Sequence, residues 1–98
     1  MSKLGLSGCS LLILAACATA PVQEMSDARQ AIRSAEASGA ASHSLETLSA
    51  AQQLLEKAQG RLEAGEYNEA RRYAQQARDR AISAREQALR NAALQPTP

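Results

Sequence analysis

The sequence predicts an all-α fold, a small antiparallel three-helix bundle, on three observations. From Glu24 onward apolar residues recur at steps of three and four, the period of a helix face and not of a strand. Ser38-Gly39 and Ala64-Gly65 cut that pattern into three segments, glycine being the residue that most readily takes the left-handed conformation closing a helix. After residue 16 there are twenty alanines against thirteen larger apolar side chains, with no Phe or Trp and only Tyr67 and Tyr73 as aromatics. A core built from such small residues suits helices that approach each other closely.

The first element, residues 1–16, reads as a lipoprotein signal peptide. Lys3 precedes an apolar run that is strongest at Leu11-Leu12-Ile13-Leu14 and ends in the small residues Ala15-Ala16. This is the pattern of a cleaved export signal, too short to span a bilayer stably. Leu14-Ala15-Ala16-Cys17 resembles the lipobox of bacterial lipoprotein signal peptides, an aliphatic residue and two small ones before a cysteine, and all four positions match. The resemblance implies cleavage before Cys17, a diacylglyceryl thioether on its sulfur and an acyl chain, commonly palmitate, on the new amino terminus. One acyl chain binds a membrane only marginally, at about 0.8 kcal/mol per buried methylene, whereas two or three on one residue hold firmly. Leu6-Ser7-Gly8-Cys9 is a second match, but only eight residues precede Cys9 and the strongest apolar stretch lies after it. Cys9 is therefore expected to leave with the signal, Cys17 to be lipidated, and no disulfide to form.

Residues 17–23, with Pro21, read as a lipidated tether reaching at most about 25 Å at ~3.3–3.6 Å per residue. The bundle domain is expected over residues 24–94. In its first helix Met25, Ala28, Ala31, Ile32 and Ala35 share one face before the stop at Ser38-Gly39. Ser42 or Ser44 is placed to cap the second helix, whose stripe is Leu45, Leu48, Ala51, Leu55, Ala58 and Leu62, widened by Leu54. In the third, Tyr67, Ala70, Ala74, Ala77, Ala81, Ala84 and Ala88 alternate steps of three and four, a coiled-coil-like seam made almost wholly of alanine. Glu66 and Glu69 in its first turn, and Arg85 and Arg90 near its end, complement the helix dipole. At ~1.5 Å per residue the third helix is expected to be about 43 Å long and the second about 31 Å, so the last turns should overhang. Pro96 and Pro98 mark residues 95–98 as a disordered tail.

Two resemblances attach to these helices. Gly65-Glu66-Tyr67-Asn68-Glu69-Ala70 with Ala74 and Ala77 looks like the turn and second helix of a tetratricopeptide repeat, but the first-helix signature is poorly met and stacking needs about three units. The likeness that covers nearly the whole mature chain runs from the lipobox through Ala-x-x-Ala-Ile steps ending in Ala-Ser-Gly-Ala. It continues with Leu45 and Leu48, then Gly65-Glu66-Tyr67-x-x-Ala70 and an alanine-rich helix. It resembles the small bacterial lipoproteins and outer-membrane-associated modules called domain of unknown function 4398. That resemblance implies a periplasmic helical module and no chemistry. Ala18 stands where inner-membrane-retained lipoproteins usually carry Asp, which points, for a Gram-negative source, to the periplasmic face of the outer membrane.

The formal charge of the whole chain is +1, and Lys3 leaves with the signal, so the mature protein carries none. A nucleic-acid partner, which requires a strong basic excess, is not expected. The 82 residues after the signal suffice for one small domain, whose single core rarely supplies more than ~3–5 kcal/mol.

No catalytic site, cofactor or metal is expected. His43, the sole histidine, lies between Ser42 and Ser44, but adjacent residues on one turn do not orient a nucleophile, a base and a third group. One histidine and scattered carboxylates form no ligand set. Arg71, Arg78 and Arg85 recur every seven residues along one stripe, and Ala84, Ala88 and Leu89 lie on the expected overhang; together they form the candidate interaction surface. The function expected is that of a membrane-anchored envelope lipoprotein, a structural or adaptor module that associates with itself or another envelope protein. The alternative is a lipid-anchored binding protein or inhibitor of a soluble periplasmic enzyme, which a concave groove with converging side chains would favour.

Overall fold

In the computed structural model, which describes residues 19–94, the alanine seam of the last helix organises the rest. The elements are α1 (Val22–Ala37), α2 (Ala40–His43), α3 (Leu45–Glu63) and α4 (Tyr67–Leu94). Both α1 and α3 pack along α4 and touch each other far less. The start of α1 lies beside the start of α4, and α3 runs along α4 in the opposite sense, as the core clusters show. The expected signal, Cys17 and the expected tail at residues 95–98 lie outside the described residues.

α4 places Ala70, Ala74, Ala77, Ala81, Ala84 and Ala88 at zero exposure. Because a methyl is all that separates the backbones, larger side chains enter only from the flanking helices. At one end Met25 and Ala28 of α1 and Ala58 of α3 meet Ala74 and Ala77, with Leu54, Leu62 and Tyr73 alongside. At the other, Ile32 and Ala35 of α1, Ala40 of α2 and Leu48 and Ala51 of α3 meet Ala81, Ala84 and Ala88. Leu55 packs against both groups. Tyr73 and Tyr67 are half-buried, and the Lys57 ammonium lies 5.8 Å from the Tyr73 ring centre.

The expected overhang does not begin where helix lengths alone put it. Gly39 takes φ 88°, ending α1, and the chain then makes a four-residue helix where only a loop was expected. That turn lies along the end of α4: Ala40 is fully buried in the core cluster that holds Ala84 and Ala88, and the Asn91 amide donates to the His43 carbonyl at 2.6 Å. Among the described residues there are thus four helices, not three. Only Ala92, Ala93 and Leu94 project beyond the contact at Asn91, and all three are exposed.

Ser44 stands at the start of α3 but caps nothing with its side chain. Its hydroxyl donates across the bundle to the Ala84 carbonyl at 2.6 Å, and the residue is 8% exposed. The apolar stripe of α3 therefore begins at Ser44 and continues four residues later at Leu48, which turns Leu45 outward to 60% exposure against the expectation that it joins the core.

α3 ends in a Schellman motif: the Glu66 N–H donates to the Arg61 carbonyl at 2.8 Å and the Gly65 N–H to Leu62 at 3.0 Å, with Gly65 at φ 79°. The Arg61 guanidinium ties the turn to α4 through Glu66 at 2.9 Å and Glu69 at 3.6 Å. The hydrogen bond and charge of Glu66, then the charge of Glu69, push the Arg61 pKa above its ordinary value, so the clasp stays cationic at any working pH. Gly60 is different. It lies inside α3 with ordinary helical φ, where glycine costs about 0.8–1.0 kcal/mol relative to alanine. An added Cβ would meet nothing within 4 Å, so no contact within the chain requires the glycine.

Candidate functional site

The chain enters the bundle through a short, docked segment. Pro21 is fully buried, and its carbonyl accepts the first bond of α1 from the Met25 N–H at 3.0 Å. α1 therefore starts two residues before the expected boundary at Glu24. Beside it, Arg71 of α4 pairs with Glu24 at 3.5 Å and donates to the Thr19 carbonyl at 3.2 Å, while Asn68 accepts another of its N–H groups at 3.2 Å. Thr19 to Val22 are thus held against the first turns of α4, at the end of the bundle marked by Gly65. Residues 19–23 of the expected tether are therefore part of the bundle.

This makes Arg71 a clasp and not a member of a free basic stripe. Arg71→Ala should loosen the entry and the first turn of α1, at a cost of about 1 kcal/mol for a partly exposed ion pair with charged hydrogen bonds. Amide hydrogen exchange reads this directly. The Met25 N–H should lose protection while the amides of Ala77 and Ala81 keep theirs; unchanged protection at Met25 would show that burial of Pro21 alone holds the entry.

Further along the same stripe, among the described residues, the arginines make no hydrogen bond or ion pair with another helix that ties them into the fold. Arg78 binds its neighbour Asp79 through Nε and Nη2, at 3.2 and 2.9 Å, an exposed contact worth little. Arg85 is exposed. Leu89 is 49% exposed, but Ala84 and Ala88 are wholly covered by α1, α2 and α3, so they cannot belong to an exposed surface as expected. Ile82, 45% exposed, takes their place. Arg78, Ile82, Arg85 and Leu89 follow at steps of four, three and four and form one continuous outward face. The four-three-four spacing that joins them is legible in the sequence.

His43 ends α2. Its Nδ1 is buried without a hydrogen-bond partner, Ser42 is exposed, and the Ser44 hydroxyl is committed to Ala84. No nucleophile and base converge there. Among the described residues no three of His, Cys, Asp and Glu gather where a cation could be held, and no helix is long and apolar enough to cross a membrane. A depression lined by Glu46, Thr47, Ser49, Ala50 and Gln53 of α3 and by Arg80 of α4 is open to solvent.

Fold and surface together define a small alanine-packed helical module whose distinguishing surface features are a docked N-terminal entry and an Arg/aliphatic face on its longest helix. Residues 23–95 match the family described as domain of unknown function (DUF4398), and the chain belongs to it. The match begins with the second residue of α1 and runs one residue past the end of α4, so it covers all but the first residue of the helical bundle. No curated protein and no solved structure matches the chain.

Proposed function

We propose that the chain is a lipid-anchored, non-catalytic module of the bacterial envelope, tethered by Cys17 at the periplasmic face of the outer membrane, where the bundle serves as a structural or adaptor element. The observation that carries this reading is the docked entry. With Pro21 buried and the Thr19 carbonyl held by Arg71, the first residue bound to the bundle follows the lipobox cysteine by two positions. A lipid on Cys17 would therefore hold the Gly65 end of the bundle at the bilayer, and α4, about 42 Å long at ~1.5 Å per residue, would present its outer face away from it. The depression between α3 and Arg80 of α4 is open to solvent and does not enclose a small ligand, which favours an adaptor over a small-molecule carrier.

The test is chemical. Mass spectrometry of the protein extracted from membranes should find an N-terminus at Cys17 bearing acyl chains, and Cys17→Ser should move the protein out of the membrane fraction. A mature chain that begins elsewhere without lipid would end the proposal.

A further inference from the structure

Two faces of this molecule match each other in charge, shape and spacing. On α4, Arg78, Ile82 and Arg85 stand at steps of four and three, with Leu89 four residues beyond. On the outer side of α3, away from Leu55, Ala58 and Leu62, the residues at the same two steps are Glu56, Gly60 and Glu63. In each triplet the charged ends lie about 10.5 Å apart along the helix. One has a half-exposed aliphatic side chain at its centre, the other a glycine with open space above it. Neither Glu56 nor Glu63 forms an ion pair within the described chain; Glu63 accepts only the Gln59 amide, at 3.2 Å. Nor does Arg85 form one, and Arg78 spends its charge on an exposed neighbour, Asp79.

We propose that a second copy of this chain docks the Arg78, Ile82, Arg85 and Leu89 face of its α4 onto Glu56, Gly60 and Glu63 of α3. The absence of a side chain at Gly60, which the fold itself does not require, lets the two helices approach and seats Ile82. In the antiparallel sense Arg85 comes to Glu56 and Arg78 to Glu63, and Leu89 reaches the depression at Ser49, Ala50 and Gln53. Run parallel, the same pairing carries Leu89 past the end of α3 at Glu63 and away from that depression. The two faces lie on different sides of the bundle, so the contact is heterologous: each copy retains one unused face, and copies add in a row. This goes beyond the anchoring proposed above and does not rest on it.

The experiment is a charge swap on the full chain in detergent micelles, followed by sedimentation velocity over a range of protein concentrations. The unaltered chain should show mass that rises with concentration. Glu56→Arg with Glu63→Arg should weaken association by about tenfold or more, as should Arg78→Glu with Arg85→Glu, because each places like charges together. An equimolar mixture of the two altered chains should recover it, since both kinds of contact again pair opposite charges. Gly60→Leu fills the seat and should abolish association. All these positions face outward, and circular dichroism with thermal melting verifies that each variant is folded. A unaltered chain that stays monomeric throughout would overturn the proposal, as would charge-altered chains that associate undiminished, or a mixture that fails to recover what each lost.

Discussion

Met25→Ala lowers the stability of the bundle by about 2–5 kcal/mol, the usual cost of truncating a buried methionine when the surroundings close only partly around the void. Met25 is the largest apolar side chain that the core encloses, 2% exposed, and its neighbours cannot follow it inward. Ala28, Ala58, Ala74 and Ala77 are methyls fixed to helix backbones, and Tyr73, Leu54 and Leu62 already reach in from the rim. A single core in a domain this small rarely supplies more than ~3–5 kcal/mol, so this one change removes a large share of what holds α1 down. Urea unfolding followed by circular dichroism should show a much lower midpoint, with Met25→Leu costing less than about 1.5 kcal/mol as the volume-conserving control. A midpoint for Met25→Ala within error of the unaltered protein would mean that α1 contributes little to stability and that the α3–α4 pair stands without it.

The parts of this fold legible in the sequence are those that local chemistry decides. The alanine seam of α4 and the glycine stops at Gly39 and Gly65 follow from periodicity and from the left-handed conformation; the structure buries the whole seam, including Ala84 and Ala88, which were expected on an uncovered overhang, and gives both glycines positive φ. Contacts between residues far apart in sequence were not legible. Ser44 has the identity and position of a helix cap, and only the nearness of a carbonyl forty residues away, on Ala84, redirects its hydroxyl. Arg71 belongs by spacing to a solvent stripe, but Glu24 and the Thr19 carbonyl draw it into the N-terminal entry. α2 is four residues long, too short to show a period, and its cover over Ala84 and Ala88 removes them from the candidate surface, where exposed Ile82 joins the expected Leu89. Cys17, on which the anchoring reading turns, lies before the first described residue, so chemistry on the mature chain must decide it.

Ala77→Leu should also destabilise the protein, by the opposite error of packing. Ala77 is at zero exposure in the middle of α4, and the space beyond its methyl is occupied by Met25, Ala28 and Ala58 from both neighbouring helices. Three added carbons have nowhere to go unless helix axes move apart, and that separation would also weaken the contacts of Ala74 and Ala81, one turn to either side. Overpacking a filled core typically costs about 1–3 kcal/mol. For a domain of 60–100 residues each kcal/mol moves the melting temperature by roughly 4–8 °C, so a drop of at least several degrees is expected. Ala92→Leu, on the exposed end of the same helix, is the matched control: it adds the same carbons where no helix faces them and should leave the melting temperature nearly unchanged. A higher melting temperature for Ala77→Leu would show spare volume along the seam. The short side chains of α4 would then reflect a need for mobility between helices and not close approach.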